Sequence, residues 1–384
     1  MTALVLALVA PLVGVRAEAT DAVRSAAYAA GEVCLAGGTA AQLGTLFDTE
    51  PGGVVGADYQ RTTQLPNGDA LWTFQDAAVR LPSGAITIVH NIGAVQTGTC
   101  FRILMSGSAA APEPWLFAGD TTPYSHWYWP LDAAMGTDGR LHVFLAEMFE
   151  RGEAYLERVE PVSTVVATID IATWGAVSLA PAANSSADLY GWSIAADADW
   201  TYLYAQCHRQ FGYDPFIGGS LGHDLSCASE VTVARVPAGE LFAAPSYWTG
   251  SGWSTNSKLA ATVIETINRF ANPTDVTYRN HRWLAVTKVA DWWGDSVLVE
   301  SAPRPMGPFE TIATLPAVPK CADVCNTYYA SWIVGEDGPT MTIGLSNNRW
   351  DGVTTAIYRP SFLTIPTPPR QVSPADRCSL GHCT

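Results

Sequence analysis

The chain has 384 residues, of which 48% are apolar, 10% aromatic and 15% charged, with 33 Gly, 25 Pro and a net charge of −15. So many aromatics beside so few charges exclude an intrinsically disordered or collagen-like chain. Its only lysines, Lys258, Lys288 and Lys320, cannot coat a face for nucleic acid or an anionic membrane, and a neutral partner such as a glycan remains compatible.

In chain order, residues 1–19 come first, with an apolar run from Ala3 to Val15 that closes on small residues around Ala17 and Ala19. This reads as a signal peptide cleaved near one of those alanines, so the mature protein is expected to be secreted. The run lacks a basic head, which leaves a hydrophobic core helix as the alternative. No other stretch approaches the roughly 18 apolar residues of a membrane span. Residues 20–52 form an N-terminal segment with an amphipathic stretch near Thr20 to Ala30.

From residue 53 to 365 one unit recurs, a turn rich in Gly, Asp or Asn followed by a strand with large apolar residues. The five turns are Pro66-Asn67-Gly68-Asp69, Asp138-Gly139-Arg140, Asp197-Ala198-Asp199, Arg279-Asn280-His281-Arg282 and Asp337-Gly338-Pro339. An apolar or aromatic segment precedes each, so every copy is predicted to be a hairpin, the first two strands of a propeller blade. Spacings of roughly 60 to 80 residues exceed the roughly 40 to 50 of short-repeat propellers and imply extended loops. Helical signal is otherwise confined to Ser257 to Arg269. The predicted fold is all-β, a single-domain five-bladed β-propeller followed by a Pro-rich, disulfide-pinned tail over 366–384.

Eight cysteines follow the leader, and an even count in an exported chain favours disulfides. Cys321/Cys325 and Cys378/Cys383 are close enough for short loops, Cys207/Cys227 bracket one insertion, and Cys34/Cys100 would remain as the fourth pair. Other connectivities stay open. Cys321-x3-Cys325 has no second pair at finger spacing and no HxH or HExxH occurs, so neither a metal nor a cofactor is expected.

Asp58 is predicted to open the first strand of the first blade and Asp76 to close the second. Because a hairpin returns the chain to its origin, both are expected at one mouth, with Gln60 beside them. Paired carboxyls are what glycoside hydrolysis needs, one protonated as acid and one ionised as base or nucleophile. The competing role is strand capping or an ion pair with Arg61. In the second blade Glu147 follows its strand as Asp76 does and is a third catalytic candidate, against pairing with Arg151. Trp127 and Trp129 are candidate sugar platforms, against a core role, with Asp132 next to them. His208 after the third blade, Lys288 and Trp292 after the fourth, and Asn347 after the fifth complete a ring of candidate substrate-binding residues at equivalent positions.

The first-blade pattern Gly56-x-Asp58, Leu65-Pro66-Asn67-Gly68, Leu71-Trp72-x-Phe74-x-Asp76 resembles a family of secreted five-bladed propellers that includes endo-acting D-arabinanases of mycobacterial-type cell walls. Trp129-Pro130, Ala234-Arg235-Val236-Pro237, Gly307-Pro308-Phe309 and Leu345-Ser346-Asn347-Asn348 look like its later landmarks, so the likeness covers residues 50–360. It implies that Asp58 and Asp76 are the catalytic pair. Phe74-Gln75-Asp76-Ala77 departs from the family's Gly-Asp-Thr. A more distant likeness to L-arabinan-cleaving propellers implies three carboxylates on successive blades, for which Asp58, Asp132 and Glu147 are the nearest matches.

The expected protein is a secreted, monomeric glycoside hydrolase that cleaves an arabinofuranose polysaccharide. The competitor from another class is a non-catalytic propeller binding a glycan or protein through the same mouth, which needs no carboxyl with a raised pKa.

Overall fold

The structure, a computed structural model, describes residues 28–116, 126–150, 159–184, 188–206, 230–265, 274–289, 294–317, 324–334, 338–350, 355–356 and 358–370. Among these residues five antiparallel sheets form. The first contains β1 (Tyr28–Cys34), β2 (Val54–Ala57), β3 (Arg61–Gln64), β4 (Ala70–Arg80), β5 (Ile86–Thr97), β6 (Cys100–Ser108) and β7 (Ala111–Glu113). Its order is β1-β6-β5-β4, with β2 and β3 sharing the free edge of β4 and β7 pairing β6. The second sheet holds β8 (His126–Met135), β9 (Leu141–Glu150), β10 (Val159–Asp170) and β11 (Gly175–Pro181), paired in sequence. The third holds β12 (Ser193–Ala196), β13 (Trp200–Gln206), β14 (Glu230–Pro237), β15 (Ser246–Trp248), β16 (Trp253–Ser254) and β17 (Ile264–Glu265). The fourth is β18 (Asp275–Arg279), β19 (Arg282–Lys288), β20 (Ser296–Ala302) and β21 (Glu310–Pro316). The fifth is β22 (Val324–Ile333), β23 (Thr340–Trp350), β24 (Thr355–Ala356) and β25 (Ser361–Pro366).

The predicted hairpins are the innermost pair of each sheet, and turn chemistry explains them. Asn67 Oδ1 accepts the Asp69 N–H at 3.1 Å while Gly68 takes φ 90°, and Asp138 Oδ1 accepts the Arg140 N–H at 3.0 Å beside Gly139 at φ 74°. Asn280 and His281 both lie at positive φ, 52° and 56°, the requirement of a type I′ turn.

The innermost strands are neighbours in a closed circuit, β3 to β8, β12, β18, β22 and back to β3. Polar bonds stitch every junction. Arg61 Nη1 donates to Pro130 O (3.2 Å), Ile194 N–H to Asp132 Oδ2 (2.6 Å) and Ser193 Oγ to Asp275 Oδ1 (2.8 Å). Trp332 N–H donates to Asp275 Oδ2 (2.7 Å) and Ser331 Oγ to Gln60 O (2.7 Å). The sheets are thus propeller-like blades around a channel, and Tyr59, Trp192, Tyr328 and Tyr329 pack across its middle in one buried cluster.

Two segments differ from expectation. Of the amphipathic stretch Thr20 to Ala30, the described residues Tyr28–Ala30 are strand, because β1 closes the outer edge of β6 and is bonded to it through the predicted Cys34–Cys100 disulfide. Of Ser257 to Arg269, the described residues 257–265 hold a 3₁₀ turn, Ser257–Leu259, followed by β17, and the rest lies outside the described residues. The β-branched run Thr262-Val263-Ile264 favours extended backbone, and Ile264 pairs with Val231. The described start of the tail is extended, with Pro368 O and Pro369 O accepting from Asn280 and Arg282. The other expected disulfides involve residues outside the described ones. No helix among the described residues is long and apolar enough to cross a membrane.

Candidate active site

The register that pairs Ala57 with Ala77 and Arg61 with Thr73 sets Asp58 directly opposite Asp76, on one face of the sheet. Sequence reasoning set both at strand ends, but Asp58 occupies the break between β2 and β3, and Asp76 lies inside β4. The break is made by Tyr59, a bulky residue at φ 47°, a conformation that the surroundings must enforce. Ser346 Oγ does so by accepting the Tyr59 N–H at 2.9 Å. The Asp76 N–H then leaves the ladder and donates to Asp58 Oδ1 at 2.8 Å, while Tyr328 Oη donates to Asp58 Oδ2 at 2.9 Å.

Asp58 is therefore enclosed. Burial, and next the charge of Asp76, push its carboxyl well above the usual range, against the pull of its hydrogen bonds. Asp76 is held differently. Its Oδ1 meets His90 Nδ1 at 2.7 Å and accepts the Trp129 indole N–H at 2.9 Å, whereas its Oδ2 accepts no hydrogen bond from the described residues. His90 stacks on Trp127 at 4.8 Å and 18°, and Trp127 meets Trp129 edge-on at 5.8 Å. Both tryptophans are mostly buried, so Trp129 orients a carboxylate while Trp127 backs the histidine.

A repeat underlies the arrangement. The seventh residue of the second strand in each inner hairpin is polar: Asp76, Glu147, Gln206, Lys288 and Ser346. Lys288 and Ser346 are wholly buried, and Ser346 Oγ donates to Gln60 Oε1 at 2.7 Å, so Gln60 belongs to the channel wall. Glu147 lies within β9 rather than after it, and both its oxygens are engaged, Oε1 by His126 Nε2 at 2.8 Å and Oε2 by Ser163 Oγ. Asn347, one residue past the repeat position, ties strands together through Thr327 (2.6 Å) and Ser361 (2.7 Å). His208 and Trp292 lie outside the described residues.

Asp132 is not beside Trp127. It sits further down the channel toward the hairpin turns, where a pocket of about 150 Å³ is lined by Arg61, Asp132, Asp275 and Trp332 among others. Its oxygens accept the Ala133 N–H (2.7 Å) and the Ile194 N–H. Burial first, then the Asp275 charge, push it to about 7 despite Arg61, and burial likewise raises Asp275. Arg61 forms no ion pair here and lies over the rings of Trp192 (4.7 Å) and Tyr329 (4.8 Å).

Sequence reasoning missed His90, Tyr328, Asp275 and Asn326. His90 was findable, since it pairs directly across from Asp76 in the next strand. Tyr328 is 270 residues from Asp58 and meets it only on ring closure. Asn326, two residues nearer the mouth on β22, is buried with neither side-chain amide atom hydrogen-bonded. The group of carboxyl, imidazole, indole and amide functions can exchange protons and grip hydroxyls. Among the described residues no His/Asp/Glu cluster with metal-ligand spacing occurs at this mouth.

A candidate hydrolase from Bacteroides ovatus ATCC 8483 has a similar structure, with TM-score 0.60 and 19% identity over 81% of this chain and 85% of that one. A mutant of the GH43 protein BlXynB from Bacillus licheniformis is similar at TM-score 0.51 and 11% identity, covering 82% of this chain and 53% of that one. At such identities the likeness is of fold alone, and the fold is that of the GH43 β-propellers. No curated protein matches the sequence. The sequence profile of one family, described as Domain of unknown function (DUF5005), matches residues 43–349, and the chain belongs to that family.

Proposed function

We propose that this protein is a glycoside hydrolase whose paired carboxyls are Asp58, whose enclosure favours its protonated form, and Asp76, the base or nucleophile. The observation that carries this reading is the asymmetry of the pair: one carboxyl enclosed and pushed up, the other oriented by two side chains with an oxygen left over. Acid/base cleavage of a glycosidic bond requires two carboxyls in unlike environments, one able to give a proton and one to take part as base or nucleophile. One 2.8 Å hydrogen bond from the Asp76 N–H to Asp58 Oδ1 and the covalent bonds of Asp76 link the two groups, which supports their acting as neighbours on one substrate. His90 and Trp129 fix the rotamer of Asp76, and Asn326 is an amide available to substrate hydroxyls. Glu147, paired with His126, is the neighbouring carboxylate of the next blade.

The fold shared with GH43 propellers supports the reaction class. For the substrate we propose an arabinofuranose polymer, cleaved internally in D-arabinan by a secreted monomer whose five sheets are the blades of one propeller. The first-blade pattern around Asp58 and Asp76 supports the polymer, and the Cys34–Cys100 disulfide supports export. Incubating purified protein with D-arabinan, L-arabinan, xylan and galactan, followed by product chromatography, tests this. Oligosaccharides from D-arabinan alone are expected. Release from no polymer, with binding intact in Asp76→Asn, would favour the glycan-binding alternative.

A further inference from the structure

The candidate site is completed across the seam between the first and fifth sheets. Tyr328 Oη on Asp58 Oδ2 (2.9 Å), the Tyr59 N–H on Ser346 Oγ (2.9 Å) and Ser331 Oγ on Gln60 O (2.7 Å) all cross it. The strands of the first sheet come from residues 28–113 and those of the fifth from 324–366, and none is exchanged between the two. Something other than a shared strand must hold this seam closed.

The segment between β1 and β2 spans it. One end leaves the outer rim of the first sheet, where the Cys34–Cys100 disulfide ties it to β6 and the Leu35 N–H donates to Thr99 O at 2.9 Å. The other end re-enters the same sheet as β2, paired with β4. Between these anchors the chain reaches the fifth sheet: a single-turn helix, α1 (Ala40–Leu43), lies against β25, and Asp48 Oδ1 accepts from Arg359 Nη1 at 2.7 Å. Leu43, Leu46 and Phe47 are buried in one cluster with Phe74 of β4 and Ile333 of β22, and Phe362 of β25 packs on it. Phe47 meets Phe74 edge-on at 5.9 Å, and Phe362 meets Trp72 edge-on at 6.1 Å. The buried apolar side chains supply the grip, since an exposed ion pair such as Asp48–Arg359 adds little.

We infer that residues 35–53 are a strap that positions the proposed acid/base pair: anchored at both ends on the first sheet and gripping the fifth with its middle, it holds Tyr328 on Asp58 and Ser346 on Tyr59. Its consequence for turnover rests on the hydrolase reading, whereas the seam can be read without substrate. The Tyr328 bond favours the charged form of Asp58, so loosening the strap moves that carboxyl further up.

Amide hydrogen exchange and carboxyl-¹³C aspartate titration of full-length Phe47→Ala test this. The amides of Tyr59 and Val334, bonded across the seam to Ser346 and Thr62, should exchange about tenfold faster or more. The Ile194 amide, bonded to Asp132 across the seam of the second and third sheets, should keep its rate, and the Asp58 midpoint should rise. Phe47→Leu, which refills most of the volume, should restore all of these. Should Phe47→Ala not fold, the double variant Cys34→Ser/Cys100→Ser carries the test, because it frees the strap's outer anchor without opening a cavity. The same changes are expected in it, to a smaller degree. The inference is overturned if the three amides quicken alike, which marks general loss of stability, or if the seam amides and the Asp58 midpoint keep their wild-type values. A wild type that cleaves no polymer refutes the hydrolase reading and leaves these readouts to decide the strap.

Discussion

Two pairs of buried aspartates line one channel, and they are held in opposite ways. At the hairpin end every oxygen of Asp132 and Asp275 accepts a backbone or hydroxyl donor, mostly from the next sheet, so these carboxyls close the ring. At the mouth Asp58 is likewise enclosed, but Asp76 has one oxygen fixed by His90 and Trp129 and the other uncommitted among the described residues. Burial and a raised pKa are common to both ends and do not single out a reactive site, so the proposed one rests on the uncommitted oxygen.

The comparison can be broken by exchanging the effects of substitutions. The largest effect is expected from Asp76→Asn, which should lower turnover by about 10²- to 10⁴-fold, the span of acid/base catalysis. Its denaturation midpoint should hardly move, because asparagine still accepts from Trp129. At the other end, Asp275→Ala leaves the Trp332 N–H without its acceptor, while the Ser193 hydroxyl keeps only Val276 O. A loss of about 1–3 kcal/mol in urea unfolding is expected. A loss below about 1 kcal/mol would remove Asp275 from ring closure.

Asp132→Asn sharpens the contrast through pH. The folded-state value near 7 lies above the ordinary 3.8, so the fold favours the protonated group. Stability from that preference is full below pH 3.8 and is lost as pH rises toward 7. Denaturant midpoints across that range should fall in the wild type and fall less in Asp132→Asn. The smallest effect is expected for Glu147→Gln. With both Glu147 oxygens already taken by His126 and Ser163, turnover should change by less than about tenfold. A loss as large as that of Asp76→Asn would favour the three-carboxylate layout.

What could be read in advance follows the range of the interactions. The five inner hairpins were legible because Asn67-Gly68, Asp138-Gly139 and Asn280-His281 decide their turns locally, and hairpin return was enough to bring Asp58 to Asp76. The polar seventh position was also legible as a repeat. Asp132 was misplaced along the channel because its depth depends on how β8 docks against β3 and β12. An ion pair with Arg61 was the competing role for one of the two aspartates; cation–π contacts with Trp192 and Tyr329, both remote in sequence, hold Arg61 elsewhere. The β1 strand was missed because its partner, β6, becomes an open edge only once the first sheet is formed.

The central claim is that Asp58 and Asp76 form one acid/base unit, and carboxyl-¹³C aspartate NMR titration of the full chain tests it most directly. The predicted result is an aspartate carboxyl that titrates well above the ordinary carboxylate range, disappears in Asp58→Asn and persists in the variants at the hairpin end. If the Asp58 resonance instead titrates in the ordinary range near 4, and Asp58→Asn leaves the Asp76 titration unmoved, the pair is not a unit and the account is contradicted.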